Sequence, residues 1–531
     1  MKKLLLILLL CMGMFSSHAQ QFFYKRDALH SFASVITSVV PFNSKYFSTG
    51  VCFDSINYIG NGQAYFIGGI KFAVFDESGN KLRDTVYQKP YRGIAAWSNN
   101  LHLMQDKTFL LATEIGDTNN VLKTLLVKID TTGEVFWEKE IDKPFCTANN
   151  DYWIKVVDFR VVEGGNFLML SRISCKPSPN AATQVDLLLS KFDSALNILW
   201  HKQYGSNSLD EGGWKIYPEV NGYLIAAGRH NLRHVSKNFS FRALLMKIDT
   251  NGVEQWTWLS DPSKKTFEAK DVIRTKDGGY VYCGQGDGNE YLSANGQQGY
   301  MEFKGWVEKL DSNRNVVWSM TTNNVYSNWE SNEQRVLKEL KNGDIVVAGS
   351  LWDQYSSADT ELHHFGAITR IDPLGNIIWQ RKYRMPNDTL TYLIYDMKLT
   401  DDGGFVFCGE ATDKYYPYNA PSQRGWIVKV DSNGCLGPGD PQCWPVSVPT
   451  QSIKTSVVVY PNPVKDYWYI RNTEENQLSI TITDLAGRVL SSFQSSNATV
   501  RWDMSNYAPG IYLYRVADGK GAVLQGKFVK Q

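Results

Sequence analysis

The sequence shows almost no excess of either charge: Lys and Arg number 55, Asp and Glu number 54, and the net charge is +1. Because a nucleic-acid-binding surface normally appears as a basic excess, this balance argues against a nucleic-acid partner. The hydrophobic content of 43% argues equally against a disordered chain. We therefore expect an ordered protein that binds no nucleic acid.

Several familiar sequence features are also scarce. No segment of 18 or more apolar residues lies beyond the N-terminus, so we expect no transmembrane segment in the mature chain. No long stretch has the 3.6-residue periodicity of a helix, which argues against an α/β fold. The motifs of serine hydrolases, zinc proteases and phosphate-binding loops are missing, and the sequence predicts neither a cofactor nor a metal.

Residues 1–19 have the three parts of a secretory signal peptide. The first residues are positively charged, residues 4–14 are apolar but too short to span a bilayer, and residues 17–19 form a small-x-small cleavage site. We therefore expect the mature chain to begin at Gln20.

A repeat dominates the rest of the chain. The 42 Gly, 28 Tyr, 25 Phe and 16 Trp are typical of strands and turns. The pattern Lys/Arg-x-Asp recurs with Asp-to-Asp intervals of 54, 63, 56, 62, 61 and 59 residues, two copies being degenerate, and five copies carry a Trp seven positions later. The aspartates are Asp76, Asp130, Asp193, Asp249, Asp311, Asp372 and Asp431, and the tryptophans are Trp137, Trp200, Trp256, Trp318 and Trp379.

Each repeat consists of four short strands, A to D, with a glycine turn between A and B and a second turn between C and D. In the second turn the Asp caps its own backbone, and a Gly three residues later supplies a positive φ. Leu196 and Arg314 replace that Gly, and we expect the following Asn197 and Asn315 to supply the left-handed conformation. Four strands per repeat predict an all-β, seven-bladed β-propeller at residues 20–443, with six or eight blades as the alternative.

The last repeat lacks a Trp-bearing strand D, although an open propeller would expose an unpaired sheet edge. Residues 22–26 resemble strand D of other repeats, such as residues 378–382. We predict that this N-terminal segment completes blade seven. We also expect the repeated Trp residues to pack between blades, and the repeated Lys or Arg to be solvated or paired.

The long B–C and D–A loops fall on one face of such a propeller, which makes that face the expected binding surface. Aromatic residues among polar side chains suit glycan or peptide contacts. The candidates are Trp352, Tyr355, Tyr415, Tyr416, Tyr418 and Tyr291. The competing interpretation is that they fix long loops to the blades.

Evidence for catalysis in the sequence is weak. Asp271 and Asp396 occupy the same place near the start of the innermost strand in two repeats, where paired carboxylates could perform acid–base chemistry. Histidines at 230, 234, 363 and 364 occur in loops without the three or four convergent ligands of a zinc site. Residues 287–290 lack the spacing of a calcium loop.

Seven cysteines remain after removal of the signal peptide. We predict a disulfide between Cys435 and Cys443, because a short loop containing Gly and Pro separates them and the envelope is oxidising. Cys146 and Cys175 lie in one repeat and could pair. We expect Cys283 and Cys408 to be small buried residues.

A linker at 444–456 precedes a small β-sandwich at 457–531. The latter resembles the type A C-terminal sorting domain of the type IX secretion system of Bacteroidota. The residues that carry the resemblance include Pro461, Asn462, Pro463, Gly487, Gly510 and Tyr512. The resemblance implies export by the type IX secretion machinery, followed by release or by attachment to surface lipopolysaccharide.

The propeller repeats resemble those common in secreted Bacteroidota proteins. They depart from the Asp-box of sialidases and from quinoprotein dehydrogenase repeats in the spacing after Asp, so no catalytic residue is carried over. We expect an exported or cell-surface binding module for glycan or protein. A glycan-active hydrolase or lyase and a structural adhesin are the alternatives.

Overall fold

The computed structural model describes the chain from Phe22 to its C-terminus, with gaps. The described residues are 22–27, 33–58, 64–87, 94–95, 100–116, 122–141, 152–175, 185–206, 209–230, 241–292, 299–323, 332–354, 362–385, 390–412, 423–437, 440, 442–443, 457–473, 477–484, 488–518 and 523–531. Internal contacts divide the chain into two compact units, Met1–Gly437 and Pro438–Gln531.

The first unit contains seven antiparallel sheets within the described residues, each a propeller blade. The N-terminal strand is β1 (Phe23–Asp27), and blade 1 follows with β2 (Ala33–Phe42), β3 (Lys45–Tyr58), β4 (Ala64–Asp76) and β5 (Lys81–Tyr87). Blade 2 contains β6 (Ile94–Ala95), β7 (Leu101–Leu103), β8 (Phe109–Gly116), β9 (Leu122–Ile129) and β10 (Val135–Ile141). Blade 3 contains β11 (Tyr152–Val161), β12 (Phe167–Cys175), β13 (Val185–Phe192) and β14 (Ile198–Tyr204).

The remaining blades repeat the arrangement. Blade 4 contains β15 (Asp210–Glu219), β16 (Gly222–His230), β17 (Phe241–Ile248) and β18 (Glu254–Leu259), and blade 5 contains β19 (Ala269–Arg274), β20 (Tyr280–Leu292), β21 (Gly299–Leu310) and β22 (Val316–Thr321). Blade 6 contains β23 (Glu333–Glu339), β24 (Ile345–Gln354), β25 (Leu362–Ile371) and β26 (Ile377–Tyr383), and blade 7 contains β27 (Thr391–Leu399), β28 (Phe405–Thr412) and β29 (Arg424–Val430). Short 3₁₀ turns lie at Glu163–Gly165 and Pro262–Lys264.

The two ends of the propeller chain meet in blade 7. Strand β1 pairs antiparallel with β29, with Phe23 opposite Lys429, and so supplies the outer strand of that sheet. On the other side, β2 of blade 1 packs against β27, β28 and β29. The ring is therefore closed both by backbone pairing and by packing, and β1 covers the edge that β29 would otherwise expose.

The apolar cores lie between the blades rather than inside them. Seven buried clusters each draw residues from two neighbouring blades of the closed ring. The middle of every inner strand contributes one fully buried side chain to these clusters. These residues are Val39, Leu101, Phe159, Ile216, Val272, Leu337 and Met397. Each blade is therefore stabilised mainly by its two neighbours, which lets the ring grow without one large core.

Four of the five repeated Trp residues pack at the same junctions, whereas Trp137 is exposed and the predicted packing is wrong for it. A Cβ added to Gly252, Gly375 or Gly434 would approach Trp200, Trp318 or Trp379 of the preceding blade to within about 3 Å. Each ring therefore covers the C–D turn of the next blade, and the expected packing between blades is observed for these three tryptophans. The guanidinium of Arg314 lies 5.1 Å from the ring centre of Trp256, so a cation–π contact replaces the glycine contact there.

The C–D turns share one hydrogen-bonding pattern. In blade 6, Asp372 Oδ1 accepts the backbone N–H groups of Leu374 and Asn376 at 2.9 and 2.8 Å. The repeated Lys or Arg pairs with an acidic residue of the A–B turn in its own blade, as Arg370 does with Asp344 at 2.7 Å. These positions are accounted for by folding alone.

One detail of the turn prediction is wrong. The positive φ lies at Leu196 (68°) and Arg314 (70°) themselves, rather than at Asn197 and Asn315. Each Asn instead donates its side-chain amide to the turn aspartate; for example, Asn315 Nδ2 lies 3.0 Å from Asp311 Oδ2. The same amide contact occurs in the glycine turns of blades 1 and 6, at Asn80 and Asn376, so it is a general feature of the turn.

The cysteine predictions divide into confirmed and untested ones. Cys435 and Cys443 form the predicted disulfide. Cys283 and Cys408 are fully buried thiols, as expected. Cys146 lies outside the described residues, and nothing is described of the Cys175 side chain.

The second unit contains two sheets within its described residues. Its strands are β30 (Val457–Tyr460), β31 (Tyr467–Asn472), β32 (Leu478–Asp484), β33 (Val489–Ser495), β34 (Thr499–Asp503), β35 (Gly510–Asp518) and β36 (Val523–Lys530). The sheet orders are β30-β31-β34 and β33-β32-β35-β36. Trp468 and Phe528 stack in their shared core with ring centres 4.6 Å apart.

The sorting-motif residues join the two ends of this unit. Asn462, between Pro461 and Pro463, accepts the N–H of Val529 at 3.0 Å and donates to the carbonyl of Lys527 at 3.2 Å. Tyr512 closes the β34–β35 connection by donating to the carbonyl of Ala508 at 2.8 Å. Gly510 begins β35, and Gly487 lies outside the described residues.

Candidate binding site in the propeller channel

The inner strands carry a shared irregularity that creates the candidate site. Six of them, β2, β11, β15, β19, β23 and β27, have a β-bulge at the same point of the strand. A bulge re-aims the side chains around it, and bulges recur at functional sites. The bulged residues are Thr37, Val157, Trp214, Lys270, Arg335 and Tyr395.

The residues just after the bulge alternate with the buried core residues, so they share the opposite face of each inner strand. The residue directly after the bulge and the residue two positions later form two levels on this face. We call the charged and histidine side chains at these two levels the channel belt. The channel belt consists of His102, Asp158, Arg160, Lys215, Asp271, Lys338, Asp396 and Lys398. The charges of blades 4 and 7, which are not neighbours, act on one another here, as Lys215 does on Asp396. Such coupling places these groups around the common channel.

Both predicted catalytic aspartates lie in the channel belt, and both hold neighbouring blades together. Asp271 Oδ2 accepts the N–H of Leu337 in blade 6 at 3.0 Å, and Asp396 Oδ2 accepts the N–H of Val39 in blade 1 at 3.1 Å. Asp158 does the same for Ile216 of blade 4 at 2.7 Å. The position is therefore occupied by three aspartates rather than the two that we identified.

In blade 3 the Gly-Gly turn lies one residue closer to the aspartate than it does in blades 5 and 7. Alignment of the repeats on that turn therefore did not identify Asp158. Burial raises the pKa of Asp158, although Arg160 and Lys215 act in the opposite direction. For Asp396, burial also acts to raise the pKa, but Lys398 and Lys215 hold it below its ordinary value. Lys398 Nζ lies 2.7 and 2.8 Å from the two oxygens of Asp396.

A second ionic network lies closer to the loop face, where the inner strands begin. We call it the mouth network, and it runs through blades 3 to 7. Its members are Arg172, Glu211, Trp214, Arg229, Glu268, Lys270, Glu333, Arg335, Tyr395 and Glu410. Glu268 and Glu333 are 2% and 1% exposed, which is unusual for carboxylates and requires partners.

Every charge of the mouth network has such a partner. Lys270 Nζ lies 2.9 Å from Glu268 and 3.4 Å from Glu333, and so bridges two inner strands. Arg335 pairs with Glu333, and Arg229 with Glu211 at 2.7 Å. The network is thus neutral and fixed in place.

The aromatic rings of the mouth network are covered by cations. Lys270 Nζ lies 3.2 Å and the Arg172 guanidinium 4.3 Å from the ring centre of Trp214. Arg335 lies 4.7 Å from the ring centre of Tyr395, whose hydroxyl donates to Glu410 at 2.7 Å. Burial and Glu410 raise the pKa of Tyr395, so this hydroxyl remains a proton donor. These rings therefore offer little open surface for stacking.

The aromatic binding candidates are separate from the mouth network. Trp352 in β24 is half-buried and lies edge-on to His364, with ring centres 5.3 Å apart, while its backbone N–H donates to Asn332 Oδ1 at 2.8 Å. This packing matches the interpretation that Trp352 fixes its loop. Tyr291 lies in β20, but its side chain is not described. Tyr355, Tyr415, Tyr416 and Tyr418 lie outside the described residues.

His230 ends β16, and His363 and His364 lie in β25, so the interpretation of these three histidines as loop residues is wrong. His364 is buried, and its Nδ1 accepts the N–H of Tyr392 at 3.0 Å, which links blade 6 to blade 7. His234 lies outside the described residues. Within the part of the chain that the structure describes, no group of three or more His, Cys, Asp or Glu could hold a metal ion. No helix in that part is long and apolar enough to cross a membrane.

Comparison with protein families decides the identity of the second unit. Residues 458–531 match the family described as "Secretion system C-terminal sorting domain". The C-terminal unit is a type IX sorting domain. Such a domain marks the chain for handling by the type IX secretion machinery and indicates export to the cell surface or secretion. The match leaves the propeller unassigned, and a comparison with curated proteins finds no match to the chain.

Solved structures resemble the chain only distantly. A protein of unknown function from Bacteroides caccae is 11% identical, with a TM-score of 0.31 over 66% of this chain and 94% of its own. The α-L-arabinofuranosidase Arb93A from Fusarium graminearum, solved with an iminosugar inhibitor, is 12% identical, with a TM-score of 0.34 over 62% and 91%. The acylaminoacyl peptidase of Pyrococcus horikoshii is 8% identical, with a TM-score of 0.37 over 82% and 57%. None of them assigns an activity to this chain.

Proposed function

We propose that the mature protein is an exported binding module that recognises a glycan at the loop face of its propeller, through the mouth network. The observation that carries this proposal is the mouth network itself. Neighbouring inner strands present buried, fully paired glutamates, lysines and arginines around one opening. Preorganised polar groups of this kind suit a ligand rich in hydroxyl groups.

The recessed position of these groups favours a glycan over a folded protein as the ligand. Glu268, Glu333 and Glu410 are each at most 5% exposed, so a broad protein surface would touch few of their polar atoms. A single sugar at the end of a chain can enter an opening that a protein surface covers. Its hydroxyl groups can form hydrogen bonds with Lys270 and Tyr395 in place of their hydrogen bonds with water.

Binding without catalysis follows from how the carboxylates are used. Asp271 and Asp396 each accept two backbone N–H groups, one from their own strand and one from the next blade. A general acid or base must be able to gain or lose a proton without loss of structure. Both oxygens of each carboxylate are already occupied by backbone N–H groups that hold the ring together, which leaves little room for a role in acid–base catalysis.

The proposal is tested by applying the mature chain, beginning at Gln20, to a glycan array and measuring the affinity for the best ligand. Lys270→Met should weaken that affinity at least tenfold, because it removes the bridge between Glu268 and Glu333. The matched control is Lys276→Met on the opposite, short-turn face, which should leave the affinity unchanged. Equal loss in both variants, or no bound glycan, would reject glycan binding at the mouth.

The alternatives predict other outcomes. Release of reducing sugar from a bound glycan that is abolished by Asp271→Asn would indicate a glycan-active enzyme. A blank array together with strong attachment of cells to surfaces would indicate an adhesin. For the exported protein we also propose attachment to surface lipopolysaccharide, which predicts its recovery in the outer-membrane fraction rather than in the medium.

A further inference from the structure

The channel belt differs from the mouth network because its charges are not balanced. It contains four cations, Arg160, Lys215, Lys338 and Lys398, against three aspartates. Arg160 pairs with Asp158 at 2.9 Å, and Lys398 pairs with Asp396. Among the described residues, the side-chain ammonium groups of Lys215 and Lys338 neither donate a hydrogen bond nor form an ion pair within 4 Å of a carboxylate. The two ammonium groups therefore add positive charge to the channel that no neighbouring carboxylate neutralises directly, which favours an anion there.

Two further polar atoms at the levels of the channel belt lack partners. His102 Nε2 and Asn100 Nδ2 are buried and have no hydrogen-bond partner in the described structure. Asn100 occupies the post-bulge level in blade 2, where Lys215 stands in blade 4. Its Oδ1 already accepts from Thr37 and Thr49, at 3.1 and 2.9 Å, so its amide group remains as a donor.

The electrostatic field at this level is positive. Burial, followed by the charges of Arg160 and Lys398, lowers the pKa of His102 to about 3, so the imidazole is neutral at physiological pH. Burial likewise lowers the pKa of Lys338 to about 8, with Asp271 opposing the shift and Lys398 and Lys215 adding to it. Lys338 is still mostly charged at neutral pH. Solvent reaches the channel belt, since the side chains of Arg160 and Lys398 are 18% and 23% exposed.

One acceptor is also free. Asp158 Oδ1 is buried and has no hydrogen-bond partner in the described residues, whereas its Oδ2 accepts from Arg160 and Ile216. Unpartnered donors and one unpartnered acceptor therefore face the same channel. A ligand that carries both an oxyanion and a hydroxyl group would satisfy both kinds.

We infer that the channel belt binds the oxyanion of an acidic sugar, a carboxylate or a sulfate ester, between Lys215 and Lys338. Asn100 and His102 donate further hydrogen bonds to the oxyanion, and Asp158 Oδ1 accepts from a hydroxyl of the same sugar. The inference rests on the proposed function, in which a glycan end enters at the mouth. It narrows the ligand class from glycans in general to acidic ones.

The test titrates the mature chain with four probes by calorimetry and by NMR of the His102 ring. Glucuronate carries the carboxylate, and galactose 6-sulfate carries the sulfate ester. The methyl ester of glucuronate is the uncharged analogue of the same sugar, and sodium chloride is the control for ionic strength. We expect saturable binding of one or both anionic probes at millimolar concentration, with movement of the His102 ring signals, and at least tenfold weaker binding of the methyl ester.

Two variants and a control make the test specific. Lys215→Met and Lys338→Met should each weaken binding of the anionic probe at least tenfold. Lys139→Met, on the exposed outer strand β10, is the control and should not change it. Removing one cation from a cluster with excess positive charge should not lower the melting temperature. The melting temperature of each variant is measured in the same samples to show that the variant is folded.

The outcomes separate the inference from the proposed function. Equal binding of glucuronate and its methyl ester, or unchanged binding in both lysine variants, would overturn the oxyanion site. If neutral glycans bind on the array while neither anionic probe binds, the site is rejected and the proposed function stands. If no array glycan binds, the proposed function fails. His102 signals that move equally with chloride would likewise overturn the site.

Discussion

The C–D turns and the channel are both built from positions that recur in every blade, yet the two regions use them differently. In the turns, the same Asp recurs in all seven blades, and Gly at five of the seven third positions, with the same hydrogen bonds. In the channel, equivalent positions carry different residues, such as Ser38, Asp158, Lys215 and Val336. A position that has the same structural role in every blade keeps the same residue type. A position that faces one ligand shared by all blades can carry a different residue in each blade.

Ring closure supplies the largest test of this comparison, because it affects all blades at once. Deleting residues 20–27 removes β1, the outer strand of blade 7, exposes the edge of β29 and takes the buried Phe23 out of the core between blades 7 and 1. We expect a sharp fall in the melting temperature, larger than for any point variant below. An unchanged thermal transition would show that β1 does not close the ring.

The next largest effect is expected at Asp396, where the channel also serves folding. Asp396→Ala leaves Lys398 without its partner and the N–H of Val39 unbonded, which should cost about 3–5 kcal/mol of unfolding free energy. Chemical denaturation measures the change. The double variant Asp396→Ala/Lys398→Met should recover part of the loss, and a double variant less stable than the single one would contradict the pairing.

The pH dependence of stability should contain a contribution from His102, the buried histidine of the channel. Because burial lowers the pKa of His102 from 6.5 to about 3, the unfolded chain binds a proton there that the folded chain does not. Stability therefore falls as the pH drops from 6.5 toward 3, by at most about 1.4 kcal/mol per pH unit from this group.

His102→Phe should flatten this acid limb, whereas His201→Phe on the exposed outer strand β14 should not. Denaturation midpoints measured from pH 7 to pH 4 test the difference. Parallel pH profiles for the wild type and His102→Phe would show that the buried imidazole plays no part.

The smallest effects are expected in the turns, where glycine positions can be matched. Gly375 has a φ of 92°, and an added Cβ would lie 2.9 Å from Trp318, whereas Gly403 has a φ of 80° and nothing within 4 Å. Gly403→Ala should cost about 1–2 kcal/mol from backbone strain alone. Gly375→Ala should cost more, and equal losses would mean that the Trp contact contributes nothing.

The sequence predicted the repeated features well and the unrepeated ones poorly. The seven blades, the packing of Trp318 between blades and the Cys435–Cys443 disulfide all follow from local patterns that can be read from the chain. The bulges do not, because an extra residue in a strand is defined by the register of its partner. The same is true of the mouth network, whose members, such as Glu268 and Glu333, come from different blades and share no sequence motif.

The most direct test of the account is hydrogen exchange by mass spectrometry, with and without the ligand selected on the glycan array. The account predicts that the ligand slows exchange in the inner strands β19, β23 and β27 and in the loops that enter them. The C–D turns at Asp311 and Asp372 should exchange at the same rate in both samples. Protection confined to the C–D turns and outer strands would place the ligand elsewhere and contradict the assignment of the channel as the binding site.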